Sequence, residues 1–308
     1  MLEITGLRKA YGDNQVLRGV DLTVRPGQIV GLLGSNGAGK TTLISIVAGL
    51  RPADGGTVRV AGIDALTDRR QAAQHIGLAP QELGIYPTLT VADNLAFFAR
   101  LAGMSRSDTA RRVSQVAEAV GLAEWMRKKA GELSGGQKRR LHTGMALLHK
   151  PALLFLDEPT VGADVQSRAS ILEVVRSLAA DGVAVVYTSH YLTELEQLNA
   201  DIAVLHEGRV VVRGSLDEVL GQYAVANVVL HFSGTAPDLP GWRSDGSSLS
   251  PLAVPEDPAR TAAQALVSLG VEAESLAGVE IIRPSLETAY LAITGRAITP
   301  EADSALVA

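Results

Sequence analysis

The sequence predicts an α/β fold built round a parallel sheet, with antiparallel strands ahead of it and a small α+β unit behind it. Three observations point there. A glycine-rich segment, Gly34-Ser35-Asn36-Gly37-Ala38-Gly39-Lys40-Thr41-Thr42, lies between a strand-length apolar run and a helical run. Further apolar runs of strand length alternate with helical patterns as far as residue 205, as expected for parallel strands joined by helical crossovers. Near residue 225 the composition shifts, and the next stretch is rich in Gly, Pro and Ser.

Taken in order, residues 2–24 alternate in polarity around turn signals at Tyr11-Gly12-Asp13-Asn14 and read as antiparallel strands. Residues 29–33 read as a buried strand, and residues 41–48, free of breakers, as a helix. Arg51-Pro52-Ala53-Asp54-Gly55-Gly56 stops that helix and turns the chain. Short strands follow at 57–61 and 76–79. Residues 91–129 are helical, with Leu95, Phe98 and Leu101 on one face and Val113, Val116 and Val120 on another, until Gly121 breaks the run. A helix over 135–149 carries Leu141, Met145 and Leu148 at helical spacing. Residues 152–156 form a strand, 165–180 a helix with Ile171, Val174, Val175 and Leu178 inward, and 183–188 and 201–205 two more strands. Residues 233–258 lack helical period and read as a loop or mobile segment. Beyond them 259–269 and 286–294 look helical and 279–282 like a strand. The resulting domains are 1–220, with a helical portion at about 85–150, and a small accessory α+β domain at 221–308.

The totals remove several classes of function. A chain of 308 residues, 46% hydrophobic and 20% charged, can bury more than one core. The net charge of −5 argues against broad nucleic-acid binding, which draws on a basic excess. With no cysteine, disulfides, zinc–thiolate sites and thiol catalysis are excluded. No apolar run approaches the roughly 20 residues that span a bilayer, and the N-terminus has no basic region followed by an apolar core, so no signal peptide is expected.

Chemistry concentrates in three places. The segment 34–41 fits G-x-x-x-x-G-K-[ST] at every fixed position, in the strand–loop–helix setting that the motif requires. Its glycines let consecutive backbone N–H groups curl round phosphate oxygens, and the helix that starts there turns its positive end to the same anion. Lys40 adds a point charge for the outer phosphates, and the Thr41 hydroxyl suits Mg²⁺, a hard cation that prefers oxygen. The run Leu153-Leu154-Phe155-Leu156-Asp157-Glu158 ends an apolar strand in two carboxylates, at the sheet edge where α/β proteins bind ligands. Asp157 is placed for the Mg²⁺ shell and Glu158 for an attacking water, a sufficient demand where phosphoryl transfer rests on positioning and charge neutralisation. Leu133-Ser134-Gly135-Gly136-Gln137 opens a further helix, with Ser134 as N-cap. Its two glycines leave free N–H groups at a positive helix end, as an anion site would, but taken alone it reads rather as a capped helix with a glycine hinge.

Phosphate loop, signature pentapeptide, strand ending in Asp157-Glu158 and a following His190 together resemble the ATP-binding cassette (ABC) ATPases, over about residues 1–220. The resemblance implies a P-loop NTPase core of ABC type, with an antiparallel β subdomain and a helical subdomain, that binds ATP and Mg²⁺ and hydrolyses ATP. It also implies a head-to-tail homodimer, each ATP lying between the phosphate loop of one copy and Ser134, Gly135, Gly136 and Gln137 of the other. By the same resemblance Tyr11 stacks on adenine, Gln81 senses Mg²⁺ and the attacking water, Asp164 crosses the dimer interface and His190 contacts the γ-phosphate. One departure is Ala163, where the family commonly has leucine before the aspartate; the smaller side chain would loosen communication between sites without removing a ligand. Lys138-Arg139-Arg140 are expected on a solvated helix face.

Glu158-Pro159-Thr160-Val161-Gly162-Ala163-Asp164-Val165-Gln166-Ser167-Arg168 is similar to cassettes of bacterial exporters of the multidrug or antibiotic-efflux type, whose permease is a separate membrane subunit. Pro80-Gln81-Glu82-Leu83-Gly84-Ile85-Tyr86-Pro87 and the stretch 286–296 are similar to theirs as well. That implies a cytoplasmic protein, peripheral on the inner face of the cell membrane. The apolar segment Leu83 to Tyr86, just past Gln81, reads equally as the surface for the permease or as a buried loop. The alternative is a soluble cassette acting on nucleic acid or ribosomes. Repair and chromosome types carry long insertions that do not fit between Lys40 and Asp157, and translation types hold two cassettes where this chain has one. No ligand motif occurs in 221–308, so that domain is expected to stabilise the dimer or the membrane assembly rather than to sense a ligand.

Overall fold

The computed structural model describes residues 1–224 and 226–295. They fall into two units, divided between Leu216 and Asp217.

In the first unit, β1 (Leu2–Tyr11) and β2 (Asn14–Val24) form a hairpin, and β3 (Ile29–Leu33) leads into α1 (Lys40–Val47). Next come β4 (Gly55–Val60), β5 (Ile63–Asp64), α2 (Arg69–Ala73) and β6 (Ile76–Ala79). The helical portion holds α3 (Val91–Leu101), α4 (Arg106–Ala119) and α5 (Gly135–Leu147). The chain returns through β7 (Leu153–Asp157), α6 (Val165–Ala180), β8 (Ala184–Thr188), α7 (Leu192–Gln197), β9 (Asp201–His206) and β10 (Arg209–Gly214). Two sheets result. One is antiparallel, in the order β2-β1-β4-β5. The other runs β10-β9-β3-β8-β7-β6, parallel apart from β10 at its edge. β7 and β8 are buried on both faces and read as unbroken apolar runs for that reason. One apolar core joins the sheets, with Leu2, Leu7, Val20 and Val58 of the first meeting Leu43 and Ile46 of α1 and Leu32 and Phe155 of the second.

The second unit follows α8 (Leu216–Tyr223) with β11 (Asn227–Phe232), β12 (Trp242–Asp245), β13 (Ser248–Pro251), α9 (Pro258–Leu269), β14 (Leu276–Ile282) and α10 (Leu286–Thr294). Its antiparallel sheet has the order β12-β13-β11-β14, and Val228, Leu230, Phe232 and Leu249 pack with Ala262, Ala265 and Leu269 of α9. Of the stretch 286–296, Arg296 lies outside the described residues.

Several expectations are corrected. The expected loop at 233–258 contains β12 and β13; they hold few apolar residues, so backbone pairing rather than polarity alternation defines them. The helical run over 91–129 is broken after Leu101, and Leu101 is 72% exposed. α3 turns Asn94 inward instead, because its amide satisfies the Tyr86 N–H and the Tyr86 and Thr90 carbonyls. In α6 the buried face is Ile171, Leu172, Val175 and Ala179, with Val174 and Leu178 only half-buried.

Candidate functional site

The loop between β3 and α1 depends on glycine at two points. Gly39 caps α1 at φ +109°, a conformation open to glycine. Gly34 has no space for a side chain: a Cβ would lie 2.5 Å from the Leu205 carbonyl oxygen on β9. Lys40 folds over the loop, its Nζ donating to the carbonyl oxygens of Gly34 at 2.6 Å and Ser35 at 3.3 Å. Burial lowers the pKa of this ammonium, and the Glu158 and Asp157 carboxylates oppose that shift.

β7 brings Asp157 and Glu158 to the sheet edge beside Thr188 of β8. The Thr188 hydroxyl donates to Asp157 Oδ1 at 2.5 Å and accepts the Glu158 N–H at 3.0 Å. Burial is the main influence on the Asp157 carboxyl and raises its pKa; the Thr188 bond, Lys40 and His190 pull it back. Glu158 leaves the strand at φ +51°, uncommon outside glycine. Its carboxylate is gripped from two sides: Gln81 Nε2 donates to Oε2 at 3.1 Å, and His190 Nε2 lies 2.7 Å from Oε1. These groups face one cleft of about 460 Å³, lined by Ser35, Asn36, Gly37, Gly39, Lys40, Thr41 and Thr42 of the loop, by Gln81, Asp157, Glu158 and His190, and by Asn14 and Val16 of β2. Ala38, also of the loop, is buried. A cation, backbone N–H groups at a helix start and a fixed carboxylate pair can together hold and cleave a nucleoside triphosphate.

Residues 17–161 match the model of the family described as ABC transporter. The daunorubicin resistance ATP-binding protein DrrA3 of Streptomyces coeruleorubidus is 34% identical over 310 residues, covering 96% of both chains. The chain belongs to the ABC transporter family. The linearmycin resistance ATP-binding protein LnrL of Bacillus subtilis (strain 168) is 43% identical over 70% of this chain and 69% of its own. The Nod factor export ATP-binding protein I of Rhizobium sp. (strain N33) is 33% identical over 96% and 97%. Among solved structures, an ATP-binding subunit of an ABC transporter superposes with a TM-score of 0.65 at 28% identity, over 72% of this chain and 93% of that one. The cassette MJ0796, a dimer in a post-hydrolysis state bound to ADP and Pi, does so with a TM-score of 0.63 at 25% identity, over 70% and 99%. This ABC cassette therefore binds nucleotide and is an ATPase.

Other predicted residues of the cassette lie away from the cleft lining. The Tyr11 hydroxyl accepts from Arg51 at 2.9 Å, and its ring faces Lys9 and Arg51. Ser134 and Gln137 form a reciprocal capping box at the start of α5. Gly135 and Gly136 permit close packing: a Cβ on Gly136 would sit 2.1 Å from the Ser167 side chain of α6, and one on Gly135 2.9 Å from the Gly162 carbonyl oxygen. Asp164 caps α6, accepting from Ser167 N at 2.9 Å and Oγ at 2.8 Å, and these bonds lower its pKa.

The solvated basic face expected of Lys138-Arg139-Arg140 is overturned for Arg139 and Arg140. Arg139 donates to the carbonyl oxygens of Val161, at 3.2 Å, and of Gln81. Arg140 donates to those of Val120, at 3.1 Å, and Gly121, at 2.9 Å. Three further residues went unseen in the sequence. Thr188 fixes the Asp157 carboxylate and the backbone of Glu158. His142 of α5 accepts the Gly84 N–H at 3.3 Å, and burial lowers its pKa to about 4. Buried Glu194 accepts from Thr160, Tyr187 and Ser189 and so joins the loops that carry Glu158 and His190. Nothing local marks a residue whose role is to bond groups on other segments of the chain.

Proposed function

We propose that this cassette is the ATP-hydrolysing subunit of an exporter, that it works as a homodimer, and that it drives a separate integral-membrane permease from the cytoplasmic face of the cell membrane. The observation that carries this is the Glu158 carboxylate held between Gln81 and His190 at a cleft floored by the phosphate loop. Residues 34–42 hold the phosphates, with Lys40 against the outer ones. Glu158 orients and polarises the water that attacks the γ-phosphorus, and the bond to ADP breaks. His190 contacts the γ-phosphate, and Gln81 links that event to the loop beyond it. The Thr41 hydroxyl, the Gln81 amide oxygen and the Asp157 carboxylate would hold Mg²⁺, an all-oxygen set suited to a hard cation beside a carboxyl whose pKa burial raises. When bound, the ion spreads the charge of the β- and γ-phosphates.

Ser134, Gly135, Gly136 and Gln137 lie outside their own chain's cleft lining and serve the ATP of the second copy, beside Asp164; Tyr11 serves the adenine. ATP closes the dimer because it touches both copies only in the closed state, and a ligand shifts such an equilibrium only through differential affinity. Among the described residues no helix is long and apolar enough to cross a membrane; the permease is assigned to a separate chain by the similarity to exporter cassettes. Leu83 and Tyr86, exposed just past Gln81 and next to exposed Phe97, form the surface for it. Export is supported by the resistance and export proteins that the cassette resembles. The cargo is then contacted by the permease, no nucleic acid takes part, and the second unit stabilises the assembly.

Glu158→Gln should abolish ATP turnover while retaining ATP binding and enriching the dimer in size-exclusion runs with ATP. Turnover at the wild-type rate in that variant would overturn the assignment.

A further inference from the structure

We propose that Arg139 is a positioning residue for ATP hydrolysis: its guanidinium ties the backbone of Gln81 to the loop after Glu158 and so fixes the Gln81–Glu158 pair. This rests on the role given above to those two residues. Gln81 stands beyond the end of β6 in a segment without regular structure, so no sheet ladder places it. Val161 lies three residues past Glu158 in a turn where the Val161 N–H bonds the Glu158 carbonyl oxygen at 3.3 Å. Arg139, on the second turn of α5, reaches both. Its Nη1 donates to the Gln81 carbonyl and its Nε to that of Val161 at 3.2 Å, two carbonyls that no other described contact joins directly. The rigid spacing of the two donors sets the distance between the segments, which a point charge would not do.

The placement is costly for an arginine. Among the described residues no carboxylate lies within ion-pairing distance of Arg139, and burial lowers its pKa against the longer-range pull of Glu158. A residue kept for solubility would extend into water instead. One turn on, His142 accepts the Gly84 N–H, so α5 holds the segment after Gln81 at two points. The same helix starts at Ser134, and a shift of its capped end on engaging the second copy's nucleotide would pass through Arg139 to the Gln81–Glu158 pair.

The test is a double-mutant cycle in steady-state ATP hydrolysis by the full chain: Arg139→Ala, Gln81→Ala and both together, with ATP affinity and unfolding midpoint measured alongside. A displacement of about 1 Å costs up to about 100-fold in rate, so Arg139→Ala should lower kcat about 10- to 100-fold with KM nearly unchanged. The double variant should be no slower than Gln81→Ala. Arg139→Lys, which keeps the charge without the planar fork, should fall between wild type and Arg139→Ala; if Arg139→Ala does not fold, Arg139→Lys and Arg139→Gln carry the same cycle. Unchanged kcat in the Arg139 variants beside a slow Gln81→Ala, or fully multiplicative effects, would overturn the proposal while leaving the site reading intact. A Gln81→Ala enzyme as fast as wild type would remove that reading, and the proposal with it.

Discussion

Replacing Glu194 with alanine should destabilise the first unit by about 4 kcal/mol. The side chain is 1% exposed and touches four groups: Oε2 accepts from the Tyr187 hydroxyl at 2.9 Å and Ser189 Oγ at 2.7 Å, Oε1 accepts from Thr160 Oγ1 at 2.7 Å, and Arg168 Nε lies 3.2 Å away. Truncation strands three buried hydroxyls, at about 1–3 kcal/mol each when nothing replaces the partner. Water entering the vacated space and Arg168 swinging outward offset part of the sum, which leaves the range seen when one partner of a buried pair is removed, about 3–5 kcal/mol. Glu194→Gln keeps the shape and one acceptor and should cost about half as much. The chain has two tryptophans, Trp125 in the first unit and Trp242 in the second. In a Trp242→Phe background, Trp125 fluorescence in urea follows the first unit alone. With an m-value of about 3 kcal/mol/M the midpoint should fall by about 1.3 M. A shift below about 0.3 M would refute the reasoning, because the buried hydroxyls would then have found other partners. Turnover should fall in both variants, since Thr160 and Ser189 anchor the loops bearing Glu158 and His190.

Two more outcomes are expected. The folded-state pKa of His142, about 4, lies below its unfolded value of 6.5, so the unfolded chain binds more protons between them. The stabilisation is therefore complete above pH 6.5 and is lost as the pH falls towards 4, with about 2 kcal/mol lost between pH 7 and pH 5. His142→Gln should flatten the pH dependence of the urea midpoint by that amount, and an unaltered slope would remove His142 as its source. Gly136→Ala should overpack α5 against Ser167 of α6 by about 2 kcal/mol, and adding Ser167→Gly should restore at least half of the lost thermal midpoint. Failure of that rescue would mean that the clash relaxes elsewhere.

Legibility in the sequence followed the range of each interaction. Residues 165–180 and 76–79 announce α6 and β6 to the residue, because helical spacing of apolar residues and a short apolar run are local signals. The break after Leu101 is marked by Gly103, at φ +84°, and by Ser105, which caps α4, signals that apolar spacing alone passes over, while the inward turn of Asn94 answers to a loop several residues away. β12 and β13 have too few apolar side chains to show period two. Lys138-Arg139-Arg140 looked like any basic helix surface, since composition carries no information about which carbonyls stand opposite.

By itself the sequence determined the chemistry of the nucleotide cleft: the glycines that bare backbone N–H groups, the lysine behind them and the carboxylate pair closing an apolar strand are each specified within a few residues. Only the tertiary structure decided how that chemistry is held in register, through Thr188, Glu194, His142 and Arg139. Arg139 bonds backbone 22 and 58 residues away, and a hydrogen bond across such a separation leaves no periodic trace in the chain that forms it.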